Sequence, residues 1–338
     1  MVEDLTEKLL NDFQRNFPLN PLPFEQIAIA LNTSTEVVIE KLKELQAKGA
    51  VSRVGPVFSP NTVGVSTLAA MAVPADELEQ IAAQVSAYEQ VNHNYEREHA
   101  FNLWFVATAD NQNTLQNTLS SIEKQTGYKV LSLPLLKEYH IDLGFRMDLK
   151  DREGIDKVES SSMSAAASIL TAEAQLASAE DLIEVIQSGL PLVARPYQEI
   201  AQRLGWSEQM VIEKLKTMID GGIIKRLGIV VRHHELGYRA NAMVVWDVAD
   251  DQVDQLGQQL GMQDCVTLCY QRPRMLPEWP YNLFCMVHGR SREEVLECID
   301  TMTEGLGLEN IPHTVLFSGR RFKQRGAIYR KINQEAKH

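Results

Sequence analysis

The sequence predicts an α+β fold, in which a winged helix-turn-helix and a ferredoxin-like β-α-β-β-α-β domain occur twice in tandem. Three observations support this prediction. A long internal repeat relates the two halves of the chain. Each copy begins with two short helical patterns separated by a turn, and alternating strand and helix patterns follow. A stretch rich in Ser and Ala separates the copies and has the composition of a linker.

The repeat is clearest in the segment Val38–Lys43, which recurs without change as residues 211–216. Further along, Tyr95-Glu-Arg97 corresponds to Tyr270-Gln-Arg272, and a short insertion follows in the second copy near Pro273–Pro280. A repeat of this length is a duplicated protomer rather than a solenoid unit. We therefore expect the two copies to associate as an intramolecular pseudo-dimer, and further homo-oligomers stay open.

The domain limits follow from these patterns. We expect a first winged helix-turn-helix over residues 1–62, a first ferredoxin-like domain over 63–149, a linker over 150–179, a second winged helix-turn-helix over 180–236 and a second ferredoxin-like domain over 237–330.

The first helix-turn-helix is predicted from Phe24–Leu31 and from a second helix whose start fits a capping box of Thr33 and Glu36. Residues 51–58 are predicted to form a small hairpin about a Gly-Pro pair. In the second copy, Ser207 is the expected N-cap of the equivalent second helix.

The ferredoxin-like domains are predicted from the alternation of strand and helix patterns. In the first copy the elements are Ser66–Val73, Asp76–Ala87, Gln90–Arg97, Ala100–Thr108, Asn113–Thr126 and Lys129–Leu136. In the second copy they are Asn241–Val248, Asp251–Leu260, Cys265–Arg272, Tyr281–His288, Arg292–Leu306 and Pro312–Phe317.

Charge and composition restrict the function. The formal net charge is −12, and a strongly acidic chain is repelled by DNA, which is bound largely through neutralisation of its phosphates. No apolar run reaches about 18 residues, and the N-terminus lacks the apolar core of a signal peptide, so neither a membrane span nor export is expected. The four cysteines show no C-x-x-C spacing, which predicts free thiols in a cytoplasmic protein.

Five long strings of sequence resemble the sirohaem decarboxylases of the Lrp/AsnC-like superfamily. The strings Val91–Phe105 and Tyr139–Phe145 resemble the D-type subunit, and Arg232–Asp247, Trp279–Gly289 and Arg320–Gly326 resemble the L-type subunit. The resemblance implies a fused D–L enzyme that removes carbon dioxide from the C12 and C18 acetates of sirohaem. The product would be 12,18-didecarboxysirohaem, a precursor of d1-type haem or, by the alternative route, of haem b.

Such a substrate is flat, apolar in its faces and rich in carboxylates, so its site needs apolar walls and cations. Alternation along the strand places His93, Tyr95, Arg97 and Val91 on one face. The matching face of the second copy holds Val266, Leu268, Tyr270 and Arg272, and therefore lacks the histidine.

His93 is accordingly the first candidate for the general acid, His99 the second, and Tyr95 a proton relay. The candidate substrate-binding residues are Arg97, His140, Tyr270, Arg272, Arg274, Trp279, Tyr281, His288, His313, Arg320, Arg321 and Lys323. A structural role stays open for each of them. No metal-site spacing occurs, and no cofactor is expected, because iron enters with the sirohaem.

Two other functions stay open. The helix-turn-helix pair is typical of a DNA-binding regulator, although residues 34–53 and 207–226 each carry only one more cation than acid. A tetrapyrrole-binding module without turnover is the third interpretation. We expect the helix-turn-helix modules to serve as scaffold or dimerising surface.

Overall fold

The computed structural model describes residues 2–141, 179–232 and 240–329. The predicted linker lies outside the described residues except for Ala179. Two compact units are present: residues 2–63 with 179–232, and residues 64–141 with 240–329. The two helix-turn-helix segments therefore share one unit, and the two ferredoxin-like segments share the other. None of the described helices is long and apolar enough to cross a membrane.

The first unit contains the helix-turn-helix elements of both copies. They are α1 (Val2–Asp12), α2 (Pro23–Ala30), α3 (Thr35–Ala47) and β1 (Val51–Phe58) from the first copy, and α6 (Glu180–Ile186), α7 (Pro196–Leu204), α8 (Glu208–Asp220) and β7 (Ile224–Val231) from the second. Ser207 caps α8 as predicted, because its hydroxyl accepts the backbone N–H of Met210. The predicted capping box of Thr33 is wrong, since the adjacent Ser34 caps α3 in the same way.

The hairpin predicted inside each copy does not form. Instead β1 is one continuous strand that pairs antiparallel with β7, so that Gly55 lies opposite Gly228. Neither glycine has the positive φ that a tight hairpin turn requires. Both are needed for close approach, because a Cβ on Gly228 would lie 2.1 Å from the carbonyl oxygen of Gln14 and one on Gly55 would lie 2.9 Å from Cα of Gly189.

The second unit contains both ferredoxin-like segments. The first consists of β2 (Val65–Met71), α4 (Leu78–Ala87), β3 (Val91–Arg97), β4 (Leu103–Ala109), α5 (Gln112–Thr126), β5 (Leu131–Pro134) and β6 (Lys137–Ile141). The second consists of β8 (Ala240–Trp246), α9 (Val253–Gly261), β9 (Val266–Gln271), β10 (Leu283–Gly289), α10 (Arg292–Gly305) and β11 (His313–Gln324). The β-α-β-β-α-β order is confirmed in both copies, and β6 and the second half of β11 extend it.

All nine strands of this unit form one sheet, in the order β5-β2-β4-β3-β11-β8-β10-β9-β6. The copies are joined by exchange: β11 pairs with β8 of its own copy through residues 313–317 and with β3 of the other copy through 318–324. In the same way β6 leaves the first copy and pairs with β9 of the second. The edge strands β5 and β6 are separated by only two residues, which span about 11 Å at most. The sheet therefore curls until its two edges meet.

The curled sheet has an outer face that packs on the helices and an inner face that encloses a third core. Outer-face residues of each copy form separate cores with their own helices. The inner face joins residues of both copies, among them Trp104, Trp279, Phe284 and Leu316. This inner face is the part of the fold that brings the predicted site residues of the two copies together.

The prediction of four free thiols is wrong for two of them. Cys265 precedes β9 and Cys298 lies on α10, which packs beside it, so their Cα atoms are 6.6 Å apart and a disulfide joins them. Cys269 and Cys285 are buried and free.

We predict that Gly257→Ala weakens the exchange of β6 between the copies. A Cβ at Gly257 would lie 2.3 Å from the ring of Tyr139 on β6, and such overpacking costs about 1–3 kcal/mol of unfolding free energy. Gly305→Ala is the matched control, because nothing lies within 4 Å of its Cβ position at the end of a helix. Chemical denaturation followed by tryptophan fluorescence measures both. Equal midpoints for the two variants would contradict the prediction.

Candidate active site

The inner face of β3 carries the catalytic candidates of the first copy. Tyr95 lies opposite Trp104 on β4, a residue of the inner core, and the rings of His93 and Tyr95 are 6.1 Å apart. Arg97 continues the same face. Val91 does not, contrary to the prediction, because a register shift separates it from His93 and it packs in the outer core.

The inner face of β9 repeats this arrangement without the histidine. Tyr270 lies opposite Phe284 on β10, and Leu268 lies opposite Met286. Val266 packs in the outer core of the second copy, again contrary to the prediction, because a register shift separates it from Leu268. The guanidinium of Arg272 lies 4.7 Å from the ring centroid of Tyr270, a cation–π distance.

Arg97 and Arg272 each reach across to the other copy. Nη1 of Arg97 donates to the carbonyl oxygen of Leu316 at 3.0 Å, and Nη2 lies 3.8 Å from Sδ of Met286. Reciprocally, Nη1 of Arg272 donates to the carbonyl oxygen of Leu133. Nε of each guanidinium is buried without a hydrogen-bond partner. The guanidinium groups of Arg97 and Arg272 thus each have a buried N–H group without an acceptor.

Neither guanidinium is neutralised by an acid. Arg97 is 8% exposed, and among the described residues neither it nor Arg272 pairs with a carboxylate. Burial lowers the pKa of Arg97 to about 10, although nearby Tyr270 and Tyr95 oppose this effect. Burial lowers the pKa of Arg272 as well. Both side chains remain charged at neutral pH, so the inner face presents positive charge that an anionic ligand would neutralise.

Aromatic rings surround these cations. Trp279 is fully buried, and its ring centroid lies 5.1 Å from that of Trp104, 5.0 Å from Tyr281 and 6.1 Å from Phe284. It belongs to the insertion unique to the second copy, where two backbone hydrogen bonds with Met275 hold it in place. Its indole Nε1 is buried without an acceptor, and is a further unused donor.

His99 borders this aromatic cluster, 5.6 Å from Trp279 between ring centroids. The backbone N–H of Phe101 donates to its Nδ1 at 3.0 Å, so the neutral ring carries its proton on Nε2. Burial lowers the pKa of His99. At neutral pH the ring is therefore predominantly uncharged, which makes it a less effective proton source than its position alone suggests.

Several predicted binding residues are engaged elsewhere. Arg274 pairs with Asp247 and Asp250. Arg320 faces outward and pairs with Glu79 and Glu96.

The ammonium of Lys323 donates to the carbonyl oxygens of Ser86 and Tyr88 at the end of α4, a capping contact. His313 is exposed beside Trp246, and its Nδ1 lies 3.1 Å from the carbonyl oxygen of Ile311.

Three further candidates lie on the strands themselves. Nδ1 of His288 lies 3.0 Å from Oγ1 of Thr267. His140 on β6 lies opposite Cys269 and is close to Gly261, where a Cβ would lie 2.8 Å from its own. Arg321 lies opposite Tyr95, and its Nη1 donates to Oε1 of Gln324 at 3.0 Å.

The sequence analysis missed the inner-face residues that are not polar. Trp104, Phe101 and Phe284 form the aromatic wall with Trp279. They lie in segments that carry the family resemblance, but they are not among the predicted site residues. The alternation along β4 was the available signal, because it places Trp104 opposite the already selected Tyr95.

The arrangement suits a flat polyanion. Cationic forks bind carboxylates in two-point geometry, aromatic and aliphatic side chains cover the faces of a ring, and a histidine supplies a proton. Residues 2–141, 179–232 and 240–329 contain no group of three or more His, Cys, Asp and Glu side chains that could hold a metal ion.

The helix-turn-helix unit offers little free positive charge on α3. Lys41 and Lys48 both pair with Glu44, at 2.7 and 2.5 Å, and Lys43 pairs with Glu40 at 2.9 Å. Hydrogen bonds from Lys41 and Lys48 lower the pKa of Glu44 to about 2. Cations that are paired within their own helix contribute less to binding phosphates.

Two family models match the chain, each of them twice. The AsnC-like ligand binding domain matches residues 62–140 and 235–323. The sirohaem decarboxylase NirDL-like HTH domain matches residues 6–51 and 180–225.

Curated relatives extend these matches over the whole chain. The "Siroheme decarboxylase NirDL subunit" of Paracoccus denitrificans (strain Pd 1222) is 40% identical over 98% of this chain and 99% of its own length. The "Siroheme decarboxylase NirL subunit" of Stutzerimonas stutzeri is 50% identical over 45% of this chain and 89% of its own.

Among solved structures, that of the sirohaem decarboxylase NirDL matches 96% of this chain and 94% of its own, with a TM-score of 0.69 and 27% identity. The same coverage holds for NirDL in co-complex with an iron-uroporphyrin III analogue, with a TM-score of 0.67.

We predict that the imidazole of His99 titrates below its ordinary value of about 6.5. Burial disfavours the charged ring, so His99 loses its proton at a lower pH than an exposed histidine does. NMR titration, with the signal assigned by its loss in His99→Gln, measures the midpoint. Trp279→Ala admits water and should raise that midpoint. A midpoint at or above 6.5 in the unaltered protein would contradict the prediction.

Proposed function

The chain belongs to the sirohaem decarboxylase family, and from this premise we propose that it removes carbon dioxide from the C12 and C18 acetates of sirohaem, giving 12,18-didecarboxysirohaem. It is an enzyme, a carboxy-lyase. The product would serve d1-type haem biosynthesis or the alternative route to haem b. The substrate would be held within the pseudo-dimer of the two copies.

One observation carries the proposed geometry: on the inner face Arg97 is buried and Arg272 is half-buried, they come from different copies, and neither has an acidic partner among the described residues. A buried cation is strongly disfavoured unless something pairs with it. A carboxylate-rich ligand would supply the missing partners and would accept from both Nε donors. The aromatic wall around Trp279 supplies apolar contact for the ring faces.

The reaction needs one proton for each carbon dioxide released. Protonation of a ring carbon beside the acetate makes the macrocycle an electron sink. The bond between the methylene carbon and the carboxylate carbon then breaks, and its electron pair forms an exocyclic double bond. A proton added to that methylene, with loss of the ring proton, leaves a methyl group. The protein's task is to orient the acetate and deliver the proton.

His93 is the better proton donor of the two histidines on geometric grounds. It lies on the same face as Tyr95 and Arg97, whereas burial keeps His99 mostly neutral. Tyr95 lies between His93 and Arg97 along the strand and would relay a proton or orient the carboxylate. No resident cofactor is required by this chemistry, since the iron belongs to the substrate.

The direct test is anaerobic incubation of the protein with sirohaem, followed by mass spectrometry. We expect the loss of two carbon dioxide units per macrocycle. Retention of all the carboxylates, with the tetrapyrrole still bound, would instead indicate a binding module.

We predict that Arg97→Met and Arg272→Met weaken substrate binding without destabilising the protein. Each removes a charge-assisted hydrogen bond of about 1.5–3 kcal/mol, which corresponds to about 10- to 150-fold in affinity, so KM should rise more than kcat falls. Because Met also removes a buried, unneutralised charge, the free energy of unfolding without substrate should stay equal or increase.

Arg203→Met is the control for these variants, because Arg203 lies in the other unit and pairs with Glu199 at the surface. It should leave KM unchanged. A fall in kcat at constant KM for the two inner-face variants would remove Arg97 and Arg272 from the binding role.

We also predict that the chain does not bind DNA tightly. The net charge of −12 and the ion pairs within α3 oppose contact with phosphates. Fluorescence anisotropy with a random-sequence duplex and with genomic fragments should show no nanomolar binding at physiological salt. Sequence-selective nanomolar binding would favour the regulator interpretation instead.

A further inference from the structure

The inner face contains two strand pairs that correspond to each other, β3 with β11 and β9 with β6. Tyr95 lies opposite Arg321 in the first pair, and Tyr270 lies opposite Glu138 in the second. Arg321 and Glu138 therefore occupy equivalent positions in the two copies. A cation therefore lies beside the Tyr-x-Arg of β3, and an anion lies beside the Tyr-x-Arg of β9.

The next position along the strands differs as strongly. His93 lies opposite Gln324 in the first pair, and Leu268 lies opposite Ile141 in the second. A histidine and an amide can donate and accept protons or hydrogen bonds, whereas two aliphatic side chains can do neither. The two sides thus share a Tyr and an Arg residue, and they differ in whether they carry a side chain that can transfer a proton.

These differences bear directly on a polyanionic substrate. On the side of β3 and β11, Arg97 and Arg321 add their charges. On the side of β9 and β6, Glu138 lies opposite Tyr270 and adds a negative charge, which repels carboxylates. Resting on the proposed function, we infer that proton transfer is confined to the β3–β11 side and that this single site performs both decarboxylations.

The arrangement of the two rings that carry C12 and C18 makes one site sufficient. C12 and C18 belong to neighbouring pyrrole rings and are related by a half-turn about the axis through the meso carbon between those rings. The same half-turn exchanges the propionates beside them. After the first acetate has lost carbon dioxide and its methylene has gained a proton, the intermediate leaves, turns over and presents the second acetate to His93 and Arg97 beside an equivalent propionate. Each passage consumes one proton and releases one carbon dioxide.

The test compares substitutions at the positions that differ. His93→Leu introduces the residue of the second copy, which that fold already accommodates, and His93→Gln keeps a polar side chain. Glu138→Gln is the matched variant on the other side. Sirohaem is supplied anaerobically, and mass spectrometry follows the unreacted, mono- and didecarboxylated species with time. Circular dichroism confirms that each variant is folded.

A single site predicts that both His93 variants lose at least about 100-fold in the rates of both steps, within the range of general acid catalysis. The fraction of monodecarboxylated species at equal conversion should therefore stay as in the wild type. Glu138→Gln removes a charge from the side that transfers no proton, so it should slow neither step. A larger fraction of the monodecarboxylated species in His93→Leu than in the wild type at equal conversion would overturn the inference, because a second site would then be performing one step. Unchanged rates in both variants would overturn it as well, while wild-type turnover would leave the proposed function intact. Absence of turnover in the wild type would refute the proposed function itself.

Discussion

The exchange of strands between the two copies is the constraint on which the rest of the structure depends. β11 pairs with strands of both copies, and β6 of the first copy completes the sheet of the second. Because the chain connects β5 to β6 through only two residues, the sheet must curl until its edges meet. The inner face formed in this way is built by both copies, so every group on it is positioned by contacts that cross between them.

Arg97 and Arg272 place two positive charges on the inner face without a counterion among the described residues. Each donates to a backbone carbonyl of the other copy, at Leu316 and Leu133, and each leaves a buried donor unused. Burying a charge without a counterion is costly, and a fold selected for stability alone would place apolar residues there. Their retention in this enclosed space is consistent with a site whose ligand brings the negative charge. In the proposed function, binding of the substrate's carboxylates would offset this cost.

Much of the fold could be predicted from the sequence, because duplication and the β-α-β-β-α-β pattern depend on local periodicity. The small hairpin around Gly55 was wrong because pairing with Gly228 of the other copy replaced it, a non-local choice that no local pattern encodes. Val91 was placed on the wrong face because a register shift beside it reversed the alternation.

At the site, alternation correctly grouped His93, Tyr95 and Arg97. It could not show that Arg320 and Lys323 are engaged with groups on the outer face, since β11 contains two register shifts that redirect its side chains.

The reciprocal exchange of β6 and β11 also bears on how such a protein is made. Neither half contains all the strands that complete its part of the sheet. Two separate polypeptides would therefore have to associate before either could finish folding. Fusion fixes their stoichiometry at one to one and replaces a diffusional encounter by an intramolecular one.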